Sequence, residues 1–163
     1  MINLSKASFL MVFLFLSLGC QPYDRVAGAE RIQRELNLEG SEVTFHAWCT
    51  VSMSMPGRGE AGGQSCIFVE SKTEIAFLTN QPPVRIPVKQ IEKVGLKKFG
   101  KNRQIQMYVG GVVVAFSLCR DDNKGMVNAA ATESVYESIA NMGIQTFEPE
   151  EFIMDPTPII IVI

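Results

Sequence analysis

Cys49, Met53, Met55 and the only histidine, His46, crowd one stretch of this 163-residue chain. Thiolate and thioether ligands favour soft ions such as Cu(I). The stretch also alternates. Val43, Phe45, Ala47, Cys49, Val51, Met53 and Met55 take the odd positions; Thr44, His46, Trp48, Thr50, Ser52 and Ser54 take the even ones. A period of two puts His46 on the face opposite both methionines, so the methionines read as core filler and no metal is expected. Nucleophilic catalysis needs a nucleophile beside a base that a third group orients. A lone histidine on an outer strand face next to Trp48 offers little to build from, so no catalytic residue and no cofactor are assigned. Glu148, Glu150 and Glu151 fall in a tail and read as solvated charge. Gly57, Gly59, Gly62 and Gly63 follow a strand but open no helix, which excludes a dinucleotide-type phosphate loop.

Two further sets of residues carry weight. Cys49 and Cys66 lie almost symmetrically about a glycine-rich turn, on strands expected to be neighbours, where Cα atoms come close enough for a disulfide. The alternative is two buried free thiols. Cys119, at a strand end, is expected to stay single. Lys89, Lys93, Lys97, Lys98, Lys101 and Arg103 form a basic run opposed only by Glu92. Lys93, Lys97, Lys98, Lys101 and Arg103 could touch anionic lipid headgroups. The alternative is an edge strand that uses its lysines to discourage aggregation.

The fourth cysteine, Cys20, ends Leu16-Ser17-Leu18-Gly19-Cys20, after an apolar run from Ser8 with Lys6 as the only earlier charge. The run is shorter than the ~20 residues that span a bilayer and has the length of a secretion signal core. With a small residue directly before the cysteine, the segment resembles a bacterial lipoprotein signal (lipobox), although Ser17 stands where a large aliphatic is commonest. The alternatives are an ordinary signal peptide or an uncleaved anchor. The resemblance implies removal of residues 1–19 and acyl groups such as palmitate on Cys20. It also implies a bacterial cell envelope location, with Gln21 favouring the outer membrane in a double-membraned host.

The formal net charge is −2, and nothing in it calls for nucleic acid. At 47% hydrophobic residues the chain is too apolar for a disordered scaffold. Residues 20–23 form a short tether reaching only about 10 Å. Residues 24–145 make one domain, and 146–163 a tail. Asp24 is a good N-cap for a helix through Leu38, with Val26, Ala29, Ile32 and Leu36 on one face and Gly40 as a stop. A long strand over 43–55, a flexible loop over 56–63, and strands at 65–69, 74–78 and 84–88 follow. The last continues through 90–94, and a hairpin over 104–119 comes next. Residues 120–125 read as a polar loop. Val127, Ala131, Val135, Ile139 and Met142 mark a helix that Gly143 ends. The closing Ile159–Ile163 run is expected to pair as an added strand.

This order predicts a mainly β, α+β domain: an antiparallel barrel or sandwich of six to seven strands closed by a C-terminal helix. Cys66–Leu78 and then Val84–Val94, with its Ile-Pro bend, resemble the pleckstrin-homology-like superfold in its bacterial and GRAM-type forms. The resemblance covers roughly 39–143 and implies a binding scaffold rather than an enzyme. The tryptophan usual in the closing helix is absent, which argues against a eukaryotic-type phosphoinositide role. The expected function is a non-enzymatic, membrane-anchored binding module, with an envelope protein or anionic lipid as partner. The alternatives are a small exported enzyme with an unrecognised site or a soft-metal handler.

Overall fold

The structure is a computed structural model. It describes residues 22–55 and 58–153, without the side chains of 54, 55 and 58–62. The expected signal segment over 1–19, Cys20 and the Ile159–Ile163 run, expected as an added strand, lie outside the described residues. Helix α1 (Arg25–Leu36) precedes β1 (Val43–Met55), β2 (Arg58–Ser71), β3 (Glu74–Leu78) and β4 (Val84–Pro87). A single 3-10 turn, Val88–Gln90, leads to β5 (Ile91–Phe99), β6 (Asn102–Val109), β7 (Val112–Arg120) and β8 (Asn123–Val127). Helix α2 (Ala129–Ala140) and β9 (Gln145–Phe147) follow.

Among the described residues the fold is mainly β with two helices. The sheet runs β4-β3-β2-β1-β7-β6-β5-β9, with β8 paired to β7; all neighbours are antiparallel except β5 and β9. Nine strands replace the expected six to seven. The 58–63 segment is not a loop but the start of β2, because β1 continues its ladder there, with Met53 opposite Ala61 and Met55 opposite Arg58. Main-chain pairing outweighs the weak strand preference of glycine. Residues 123–125, expected as loop, belong to β8, and the strand expected at 90–94 runs on to Phe99.

The sheet curls. Phe68 of β2 and Phe77 of β3 each lie 5.1 Å from Phe116 of β7 by ring centroid, although β7 is two and three strands away. Flat neighbours ~4.8 Å apart could not meet so. The interior of the curl holds Ala47, Cys49, Val51, Phe68, Phe77, Val94, Ile105, Met107, Phe116 and Leu118. Helix α2 closes it with Val135 and Ile139. Asn128 caps α2 by accepting from the Ala131 amide, and buried Thr132 accepts from the Leu118 amide, tying helix to strand. Ser138 of α2 donates to Glu70 of β2, whose carboxyl burial pushes above its ordinary range.

Helix α1 packs on the outside of the same sheet. Ile32, Leu36 and Tyr23 cover Ile67, Val69, Ala76 and Leu78. Two expectations change here. Gly28, Ile32 and Leu36 are the buried residues, whereas Val26 is 69% exposed. Asn37, at φ 55°, ends the helix before Gly40. Its left-handed conformation suits a short polar side chain.

Candidate functional site

The strand period that sends Ala47 and Cys49 inward sends His46 and Trp48 outward, under the start of α1. Asp24 Oδ1 accepts from the Val26 and Ala27 amides at 2.9 and 3.0 Å, which fixes where the helix begins. Tyr23, one residue earlier, turns back beneath the helix and is only 8% exposed. Its amide donates to the Asp121 carbonyl at 2.7 Å, and its Oη lies 2.6 Å from His46 Nδ1. Its ring lies 5.3 Å from Trp48 and 5.6 Å from His46. A side chain at position 28 would meet the Tyr23 ring, so the glycine makes room for it.

Burial sets the electrostatics. It pushes the Tyr23 phenol up to about 12, against the nearby Arg25. Burial and then Arg25 lower the His46 pKa, keeping the ring uncharged. A neutral phenol and a neutral imidazole thus share one hydrogen bond through Nδ1. Arg25 pairs with Asp121 at 3.0 Å, and Lys124 Nζ sits 4.3 Å above the Trp48 ring. Two grooves flank the helix. One, of about 560 Å³, is walled by Tyr23, Trp48, Arg31, Ile67 and Lys124. The other, of about 520 Å³, lies between Val26, Leu38, Val43, Phe45 and His46. The first combines an aromatic floor with cations, an arrangement that holds an apolar body and an anionic group together.

The other sequence-derived residues are placed elsewhere. Cys49 stands opposite Cys66, with Cα atoms 4.9 Å apart, and the two form a disulfide. Cys119 is free and buried, and burial pushes its thiol up. Among the described residues no group of three or more His, Cys, Asp or Glu could hold a metal ion. The basic run does not gather into one patch. Lys93 lies over the Tyr108 and Phe147 rings, and Lys97 donates to the Pro149 and Glu150 carbonyls. Lys98 and Arg103 share Glu133, whose carboxyl these bonds hold below the usual range. Lys101 is exposed at the β5–β6 turn.

Tyr23, Lys124, Gln104 and Gln106 escaped the sequence reading. Gln104 and Gln106 are buried on the outer face of β6, where they hold the strap formed by residues 148–153. Gln104 bonds both the amide and the carbonyl of Ile153, and Gln106 donates to the Glu151 carbonyl. The available signals were glycines inside regular elements: Gly28 in α1, and Gly95 in β5, where a Cβ would fall 2.6 Å from the Phe147 carbonyl.

No family model and no curated protein matches the chain. Among solved structures, the hSac2 domain from human phosphoinositide phosphatase Sac2 is similar, with a TM-score of 0.48 and 12% identity. The match covers 77% of this chain and 89% of that one. At this distance nothing of that protein's activity transfers. No helix among the described residues is long and apolar enough to cross a membrane.

Proposed function

We propose that this chain is an exported lipoprotein held in the bacterial cell envelope by lipid on Cys20. Its pleckstrin-homology-like body is a non-enzymatic module that binds at the membrane surface through the groove beside Tyr23 and Trp48. One observation carries the reading. Tyr23 is three positions after Cys20, yet it is buried, bonded at both ends and part of the groove wall. The lipid attachment point is therefore within about 10 Å of the groove. A ligand with an anionic group for Lys124 and an apolar part for Trp48, presented at the membrane, fits this placement. His46 supports a structural role, since its Nδ1 is taken by Tyr23 and its charge is suppressed.

Trp48 is the only tryptophan, so its fluorescence reports on the groove directly. Titration with short-chain phosphatidylglycerol below its micelle concentration is expected to shift the emission, and Lys124→Glu to abolish the shift. An unchanged spectrum at millimolar lipid sinks the groove assignment. Separately, Cys20→Ser is expected to move the protein from the membrane to the soluble fraction.

A further inference from the structure

The β5–β6 turn carries an unusual side chain: Phe99 is 73% exposed, the most exposed large hydrophobic among the described residues. It stands beside Gly100, whose φ of 55° makes the turn, between Lys98 and the exposed Lys101. The Phe152 ring packs edge-on to it at 6.4 Å. Lys98 is 58% exposed although it pairs with Glu133. An exposed aromatic flanked by lysines is costly in water and suited to the headgroup layer of a bilayer, where aromatic rings and cations both find partners.

The turn also lies at the end of the sheet where the described residues begin. β6 and β7 are antiparallel neighbours with Ile105 opposite Phe116. The start of β6 and the end of β7 therefore share one end of the sheet, and the β5–β6 turn is there too. The Tyr23 amide is bonded to Asp121, just past β7. The turn and the start of the described chain thus lie at the same end of the sheet, with β8 and the start of the second helix between them on the β7 edge. The remaining residues back to Cys20 are too few to let the body rotate freely above a membrane. The strap reaches this same end, where Gln104 grips Ile153.

We propose that this end of the sheet faces the bilayer, with Phe99 and Phe152 in the interfacial layer of the membrane and Lys98 and Lys101 against anionic phospholipid headgroups. The orientation rests on the lipid-anchor reading above. The acyl groups on Cys20 would hold the chain at the bilayer, and this second contact would fix how the body is oriented on it. Exposed Glu150 and Glu151 on the strap offset part of the lysine charge. The rings therefore supply the contact, and the lysines bias it towards anionic lipid.

The test uses the full chain in phosphatidylethanolamine–phosphatidylglycerol vesicles, with Trp48→Phe and Phe99→Trp combined so that the only indole sits at the turn. Quenching by a lipid nitroxide placed near the headgroups, with a blue-shifted emission, is expected. Mass spectrometry of the same sample reads the lipid on Cys20. If Cys20 is lipidated and the indole is unquenched, the orientation is wrong while the anchor stands. If Cys20 is unmodified but the indole is quenched, the contact stands and the anchor reading fails. An unquenched indole with concentration-dependent self-association assigns the turn to a second copy and overturns the proposal. In the Cys20→Ser chain, Lys101→Gln is expected to weaken vesicle binding about fivefold; unchanged binding removes the lysine from the contact.

Discussion

Two stretches of the sheet's outer face are covered, but by opposite physics. Over β2 and β3 the cover is α1 with Tyr23, and the centre of the contact is apolar, with Ile32 and Leu36 each 2% exposed against Ile67, Val69, Ala76 and Leu78 and hydrogen bonds from Arg31 and Arg85 at its edge. Over β5 and β6 the cover is the 148–153 strap. There Gln104, Gln106 and Lys97 bond the strap's main chain, not its side chains. Each cover needs one glycine at its contact, Gly28 of the helix over Tyr23 and Gly95 of β5 under Phe147 and Pro149. The apolar cover depends on which side chains the chain brings. The polar cover depends on the receiving strand and is largely indifferent to the strap's own sequence.

Ile32→Ala should break the apolar cover most severely. It removes a fully buried aliphatic at a cost of about 3 kcal/mol, read as a shift in the denaturant midpoint. A loss below ~1 kcal/mol would show α1 to be only loosely docked. Gly95→Ala should then break the polar cover alone. Its new methyl meets Phe147 O and Pro149, at a cost of about 1–3 kcal/mol. Amide exchange over 145–153 should accelerate while Trp48 emission stays unchanged; a change at Trp48 would mean the two covers are coupled.

A pH prediction separates the covers further. The His46 pKa is lowered from 6.5, so the folded state favours the neutral ring. Its contribution to stability is complete above 6.5 and is lost as pH falls through the lowered folded value. Glu70, with its raised carboxyl, works in the opposite sense, so the readout is the difference between variants: from pH 7 to 5 the parent should lose melting temperature relative to His46→Gln, with exchange in the strap unaltered. Glu151→Ala should have the smallest effect, within about 0.5 kcal/mol, because only its carbonyl is held. A larger loss would show that the strap is read by side chain after all.

Much of the frame was legible because it is local. Alternation over 43–55 gives β1 and its two faces, the 131–139 stripe gives α2, and near-symmetry about a turn places Cys49 opposite Cys66. The candidate site was not legible. Tyr23 looked like tether because its partners, His46 and Asp121, are 23 and 98 positions away in the chain. The lysines looked like one patch because they are close in sequence. Their partners Glu133, Pro149 and the Tyr108 ring come from three other elements and divide them. Gln104 and Gln106 looked like the solvent side of a strand, and only the returning strap buries them.

The sequence by itself determined the inward strand faces and the helix cap at Asp24. These follow from a period of two and from single-residue chemistry. Only the tertiary structure decided what lies over the outward faces. Which remote segment covers a strand is set by packing and main-chain hydrogen bonding across the whole fold, and no local pattern encodes it.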